Sequence, residues 1–380
     1  MFKIKKAFES LKHPGINSSI PSLIKNAVPY YISPAIKVPP PLTVYWSINS
    51  VCNLHCKMCD VGTMNEEGTF FKTLRIDRKL YEIDINIFKS VVDEFANINQ
   101  RPYMAINSTE PLMYKDLPEA IDYCTQNNME SAVTTGAYNL PKRALDLAKA
   151  RLNRLNVSID GTSGLHNEIR GRKDAYEKAT EGIQIFAQEV KRIGHTAEIF
   201  VNCVVTNLNY HGLVDFYNSI EKYPISQINF AFLWYLSPGI VKKHNEKFGD
   251  KYKVSESCYD DYVNPEKVDT KILEEQLNQL ADKSNVSILG NKGKKWLDSF
   301  FLSPNIMLEA NASCMASWFF TQILADGKVV VYTRCHNEPI GNINDEPLLK
   351  IWNDEKMKGW RKFIHREKKM PMCARCDLVY

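Results

Sequence analysis

The 380-residue sequence has no apolar run approaching the length of a membrane span, which excludes a chain built around transmembrane helices. It has no dense block of lysine and arginine, and its net charge is only +4, so it does not read as a nucleic-acid binder. The opening residues, MFKIKKAFESLKHPG, lack the continuous apolar centre of a secretion signal, and no small-residue cleavage site follows. A cytoplasmic location is the resulting expectation. There is no internal repeat beyond an alternation of strand-like and helix-like stretches. In a reducing compartment the ten cysteines are expected as thiols, metal ligands or catalytic groups rather than disulfides. What is present is an ordinary globular balance, 44% hydrophobic and 24% charged, enough to bury a large core.

The cysteines are unevenly placed. Cys52, Cys56 and Cys59 fall within the stretch SINSVCNLHCKMCDVGT, spaced C-x3-C-x2-C. Cys314, Cys335, Cys373 and Cys376 close the chain, and Cys124, Cys203 and Cys258 stand singly. Around them TVYWSIN (43–49), PYMAIN (102–107), SAVTT (131–135), RLNVSID (154–160), EIFVNCVVT (198–206) and SQINFAFLWY (226–235) read as strands. Helical stretches separate them, which predicts a parallel sheet with helices outside. Periodicity does not separate a barrel from an open sheet. The three-cysteine knot directly follows the first strand, the end where parallel α/β folds gather functional residues. Residues 236–269 are polar without a clear period and read as a long, partly ordered loop, followed by a helix at KILEEQLNQLADK. Three thiolates and an open position are the logic of a reactive metal site; on spacing alone a zinc loop or three unrelated thiols remain open.

CNLHCKMC, after a strand and at the start of an α/β repeat, resembles the signature of the radical S-adenosylmethionine (SAM) superfamily. The resemblance implies an α/β fold, a partial (β/α)6 TIM-like barrel with a small C-terminal iron–sulfur module. It implies that Cys52, Cys56 and Cys59 hold a [4Fe–4S] cluster whose fourth iron is chelated by SAM. Ser108-Thr109-Glu110-Pro111 stands where the family carries Gly-Gly-Glu-Pro, so Glu110 is expected to accept from the SAM amino group, with Ser108 and Thr109 along its methionine part. VSIDGTSGLHNEIRG is similar to the SPASM-type subgroup and puts Ser158 and Asp160 near the ribose. Arg170 would then pair with the SAM carboxylate. Asn202 on the fifth strand would contact adenine or ribose. Taken singly, Ser158, Asp160 and Asn202 also suit strand-end and turn chemistry. Met58, between the second and third cysteines, either packs on adenine or belongs to the core.

The closing segment resembles a SPASM/Twitch extension, through Asp326-Gly327 at a hairpin turn, the following cysteine, Gly341-Asn342-Ile343 and LLKIWN. By that resemblance Cys314, Cys335, Cys373 and Cys376 hold one auxiliary [4Fe–4S] cluster; a zinc site with the same ligands is not excluded by spacing. The expected organisation is an extension at 1–42, the core at 43–240, a linker or lid at 241–307 and the module at 308–380. The implied reaction begins with reductive cleavage of SAM, supplied by a low-potential donor such as flavodoxin or ferredoxin. The 5′-deoxyadenosyl radical then abstracts hydrogen from a substrate. A small polar molecule (sugar, cyclitol or nucleotide-linked) that is oxidised or epimerised is preferred. With about 42 residues before the first strand, an N-terminal peptide-binding domain is not expected. A peptide maturase is the alternative, and a non-catalytic metal-binding or electron-transfer protein is the reading from another class. Cys258, in a polar loop, is the candidate hydrogen donor. Finally, Ile4, Phe8 and Leu11 share one helical face with Phe2 at its edge and lysines mostly elsewhere. Residues 1–13 are thus expected to make at most weak, salt-sensitive contact with a membrane surface, the alternatives being packing on the barrel or a frayed terminus.

Overall fold

The computed structural model describes residues 20–33, 36–74, 79–308, 313–376 and 378. The basic amphipathic stretch 1–13 lies outside these. No helix among the described residues is long and apolar enough to cross a membrane.

The six expected strands form and lie side by side in chain order, all parallel: β1 (Thr43–Trp46), β2 (Tyr103–Ile106), β3 (Ser131–Thr135), β4 (Arg154–Ser158), β5 (Glu198–Val205) and β6 (Gln227–Phe232). Their registers pair Thr43 with Tyr103, Ala132 with Arg154 and Ser158 with Asn202. Helices Ile85–Asn97, Leu117–Gln126, Leu140–Lys149, Ala175–Ile193 and Leu213–Ile220 follow the strands and bury one apolar face each, such as Phe88, Val91, Val92 and Phe95 in the first. Asp84 caps that helix by accepting from the Asn86 N–H at 2.7 Å. Along β4, Leu155 and Val157 are buried while Arg154, Asn156 and Ser158 alternate with them half-buried. One side of the sheet is therefore apolar under the helices and the other carries polar groups.

One expectation gains detail and another needs correction. The terminal module shares its sheet with the barrel strands. β8 (Phe320–Ile323) pairs in parallel with β1, in register Tyr45 to Gln322, and continues the sheet through β9 (Lys328–Val330) and β10 (Gly341–Asn342). With β7 (Val286–Leu289) beside β6 on the other edge, the sheet has ten strands, ordered 10-9-8-1-2-3-4-5-6-7. The β8–β9 turn does use Gly327, at φ +84, as its hairpin glycine. The correction concerns 236–269, which contains the helix Pro238–Phe248 and a short 3-10 turn at Pro265–Lys267 and is pinned by a bridge between Leu236 and Ser257. The helix was hidden because its buried face consists mainly of Ile240 and His244, and a buried histidine reads as polar.

Candidate functional site

The knot is held by a neighbouring helix end. The last carbonyls of the helix Ser163–Arg170 have no partner within it, and two of them accept from the knot: Arg170 O from the His55 N–H at 3.1 Å and Ile169 O from the Lys57 N–H at 2.9 Å. Arg172 Nε adds a bond to Asn53 O at 3.0 Å. Such close backbone contact needs glycine on both sides. A Cβ on Gly171, already at φ +67, would lie 2.7 Å from His55 O, and one on Gly62 would lie 2.5 Å from both Cys56 N and Cys56 O.

The three thiols sit in a poor medium for a free thiolate. Burial pushes Cys52 up to about 12 and Cys59 up to about 11, and raises Cys56 although Arg170 opposes it. Backbone N–H groups nevertheless point at sulfur: Leu54 at Cys52, and Val61 and Gly62 at Cys59. These donors suit a thiolate once a metal has displaced its proton. Among the described residues, no three His, Cys, Asp or Glu side chains converge on a single ion-sized position. A cluster, in which each thiolate binds its own iron, spreads its ligands more widely.

Around the thiols stand two charged groups from the expected SAM set. Arg170 Nη1 reaches Cys56 Sγ at 3.6 Å and Nη2 lies 2.6 Å from Asp160 Oδ2, while its buried Nε has no hydrogen-bond partner among the described residues. Glu110 is fully buried and accepts from Thr135 Oγ1 at 2.6 Å, Gly136 N at 2.9 Å and Leu112 N at 3.0 Å. Burial raises its pKa, against the pull of these bonds and of Arg170. A carboxylate has about four acceptor positions, so one remains for a further donor. An orphaned guanidinium N–H and an acceptor with spare capacity beside three thiols fit an amino acid chelating a cluster: Arg170 for its carboxylate, Glu110 for its amino group.

Other expected residues divide. Asp160 is buried, with Oδ1 accepting from the Val204 N–H at 2.9 Å and Oδ2 paired to Arg170 Nη2, a contact that orients the guanidinium. Ser158 and Asn202 are register partners on the polar side of the sheet, and Asn202 Oδ1 accepts from Asn229 Nδ2 at 2.8 Å. Met58 is buried beside Leu54, Cys56, Ile169, Leu233 and Val263 in a small apolar group separate from the main core. Ser108 takes φ +86, a conformation free to glycine and costing other residues roughly 1–2 kcal/mol. Thr109 Oγ1 donates within 2.7 Å of Asn49.

The polar post-barrel segment folds back on the knot. Cys258 N donates to Asp60 Oδ1 at 2.9 Å, Ser257 Oγ bonds Asp60 Oδ2, and Thr69 and Ser255 exchange bonds, Ser255 N to Thr69 Oγ1 at 2.7 Å. Asp60 directly follows Cys59. Between the two segments lies a cleft of about 620 Å³ whose lining includes Lys57, Met58, Cys59, Asp60, Val254 and Cys258. Cys124 and Cys203 are instead sealed in the core.

At the other site, Cys314, Cys335 and Cys373 act on one another electrostatically, which requires proximity, and burial drives Cys373 up to about 12. Met370 N approaches Cys373 Sγ at 3.5 Å, and Cys376 follows one turn later, its N–H on Cys373 O at 3.2 Å. Two residues escaped the sequence reading. Arg375, between the last two cysteines, is buried and donates to Phe300 O, Ile306 O, Ser299 O and Ser303 O at 2.8–3.1 Å, anchoring the terminal turn to the end of the helix Lys294–Phe301. Gln322, buried on β8, donates to Ser47 Oγ at 3.0 Å and Ser108 Oγ at 2.9 Å and accepts from the Thr333 N–H at 2.9 Å. No local pattern marks Gln322, and for Arg375 the sequence offers only its place between two cysteines.

Comparison with known proteins gives the same division. The radical SAM superfamily model matches residues 46–218, and the model of a SPASM iron–sulfur cluster-binding domain matches 314–377. The Fe-coproporphyrin III synthase of Methanosarcina barkeri is 24% identical over 197 residues, 52% of this chain and 45% of that protein. The AdoMet-dependent heme synthase of Nitratidesulfovibrio vulgaris is 21% identical over 338 residues, 88% of this chain and 84% of that protein. The chain thus spans under half the length of the first relative and most of the second. In fold it resembles SuiB of Streptococcus suis bound to S-adenosylmethionine, with a TM-score of 0.58 and 17% identity over 85% of this chain and 68% of that one; SuiB has also been seen bound to its precursor peptide SuiA. The chain belongs to the radical SAM superfamily and carries a SPASM-type module: it is an iron–sulfur enzyme whose cofactors are SAM, a [4Fe–4S] cluster and auxiliary iron–sulfur.

Proposed function

We propose that this enzyme removes a hydrogen atom from a small polar molecule bound in the cleft beside Cys59. The observation that carries the reading is the cleft itself: it touches the knot, its volume is in the range of small-molecule sites, and its wall mixes apolar Met58 and Val254 with Lys57 and Asp60. When bound, SAM and the knot cluster supply a 5′-deoxyadenosyl radical, and a loaded four-cysteine site supplies one-electron transfer. The chain's own part is to bind and orient. Cys52, Cys56 and Cys59 hold the cluster, Glu110 takes the amino group, and Arg170, aimed by Asp160, takes the carboxylate. Ser158 and Asn202 offer polar contacts toward the nucleoside. The segment 253–260 forms one wall of the cleft. Cys314, Cys335, Cys373 and Cys376 hold the auxiliary cluster.

Oxidation is the favoured outcome. Epimerisation would need a thiol to return a hydrogen atom, at the expense of one electron and one proton from the reductant. Cys258 is the candidate for it, a reading supported by its place in the cleft lining. The names of the two curated relatives refer to small molecules, which supports a small substrate; the SuiB likeness is one of fold. Anaerobically reconstituted enzyme with SAM, reductant and deuterated sugars, cyclitols or nucleotide-linked sugars should transfer deuterium into 5′-deoxyadenosine. Transfer from a peptide alone would replace the reading with a maturase, and Cys258→Ser that leaves turnover intact would rule out the thiol route.

A further inference from the structure

The helix Ile20–Ile32 is apolar on two faces, yet among the described residues only one is covered. Leu23, Asn26 and Tyr30 turn inward: Asn26 Nδ2 holds Trp318 O at 2.9 Å and Pro40 O at 3.0 Å, and the Tyr30 ring meets Trp318 at 5.0 Å and His365 at 4.8 Å. On the other side Ile24, Val28 and Tyr31, at i, i+4 and i+7, form a stripe continued by Ile32. They are 44%, 42%, 61% and 67% exposed, and Ile36 just beyond is 42% exposed. A helix apolar all round is ordinarily buried. Clustered exposure of this kind marks a contact surface, unlike singly scattered apolar residues.

The charge around the stripe says what it contacts. Residues 1–42 contain six lysines and one glutamate, a net +5, against +4 for the whole chain, so the other 338 residues sum to −1. Lys25 and Lys37 are exposed next to the stripe, and Lys368 lies 5.6 Å from the Tyr30 ring centre on the inner side. Glu367 beside it is already bound by Lys247 at 3.2 Å and Arg366 at 2.9 Å. An apolar stripe within a strongly basic segment is the pattern of a helix lying in the interface of an anionic bilayer. We infer that the outer face of Ile20–Ile32 docks this enzyme on an anionic lipid surface. The helix packs on Ala316–Phe319, which leads into the start of β8, whereas the knot lies past the far end of β1. Docking through the helix therefore leaves the catalytic end free.

The test is co-sedimentation of the full chain with phosphatidylcholine vesicles made with and without phosphatidylglycerol. Wild type should bind the anionic vesicles, and less so in high salt. Changing Ile24, Val28, Tyr31 and Ile32 together to Ser should lower the partition at least about tenfold, with iron content and SAM cleavage unchanged. Because this variant retains residues 1–19, the loss belongs to the stripe. Lys25→Glu with Lys37→Glu should reduce the preference for phosphatidylglycerol while the protein stays folded. The inference fails if wild type does not bind, if the Ser variant binds as well as wild type, or if light scattering finds a wild-type dimer that the Ser variant dissolves, since a second copy then covers the stripe.

Discussion

The two cysteine sites of this molecule are assembled in opposite ways. The knot gathers three thiols from one short loop, and its geometry comes from backbone contact, with Gly62 and Gly171 allowing it to lie against the helix end. Charged groups with spare bonding capacity, Arg170 and Glu110, flank it. The proposed terminal site draws four thiols from three separated segments. It depends on tertiary anchors such as Arg375, and its neighbour His336 is kept neutral, pushed down to about 3 by burial beside Tyr252 and Trp360. A site that must admit a cofactor leaves a ligand position open and supplies polar groups for what enters. A site that only passes electrons is closed by protein ligands. Gln322 bonds segments near both: its amide donates to Ser108, at φ +86, and accepts from the Thr333 N–H two residues before Cys335.

The comparison breaks most visibly at Gly62. A methyl group there meets backbone atoms of Cys56, which cannot move aside as a side chain would, and overpacking of this kind costs roughly 1–3 kcal/mol or more. Gly62→Ala should lose the knot cluster, about half the iron, and nearly all SAM cleavage, while the terminal site stays loaded. Full iron content with normal 5′-deoxyadenosine formation would show that close packing does not shape the knot.

Glu110→Gln should act on the cofactor and spare the metal. A charge-assisted bond is worth about 1.5–3 kcal/mol, which corresponds to roughly ten- to hundredfold weaker SAM binding in a calorimetric titration. The amide also turns one accepting atom into a donor facing Thr135, Leu112 or Gly136, so some loss of thermal stability should accompany it. An unchanged dissociation constant would take Glu110 out of the SAM site.

Gln322→Leu should have the smallest effect. Losing the bond of about 1 kcal/mol to Ser108 predicts about three- to tenfold weaker SAM binding, with both clusters retained. Ser108→Gly in the same chain should restore affinity, since glycine needs no help at φ +86. Failure of that rescue would make Gln322 a packing residue only.

What the sequence showed and what it concealed follow the same division. The six parallel strands and the knot were legible because alternation and C-x3-C-x2-C spacing are local patterns. The pairing of β8 with β1 was not, because it joins segments some 277 positions apart, Tyr45 to Gln322, and no periodicity encodes which edge a strand will choose. The proximity of Cys258 to Cys59 was hidden for a like reason: it depends on Asp60 and Thr69 capturing a polar segment from far along the chain. Short β7 and the helix Pro238–Phe248 were missed because partial burial and a buried histidine weaken the pattern.

The central claim is that the knot is the open, SAM-binding site and the terminal four cysteines the closed one. Electron paramagnetic resonance of the reduced protein, with and without SAM, tests it directly on two variants. One replaces Cys314, Cys335, Cys373 and Cys376 by Ala, the other Cys52, Cys56 and Cys59. The account predicts that SAM shifts the cluster signal of the first variant and leaves that of the second untouched. A SAM-induced shift in the variant lacking the knot would contradict it.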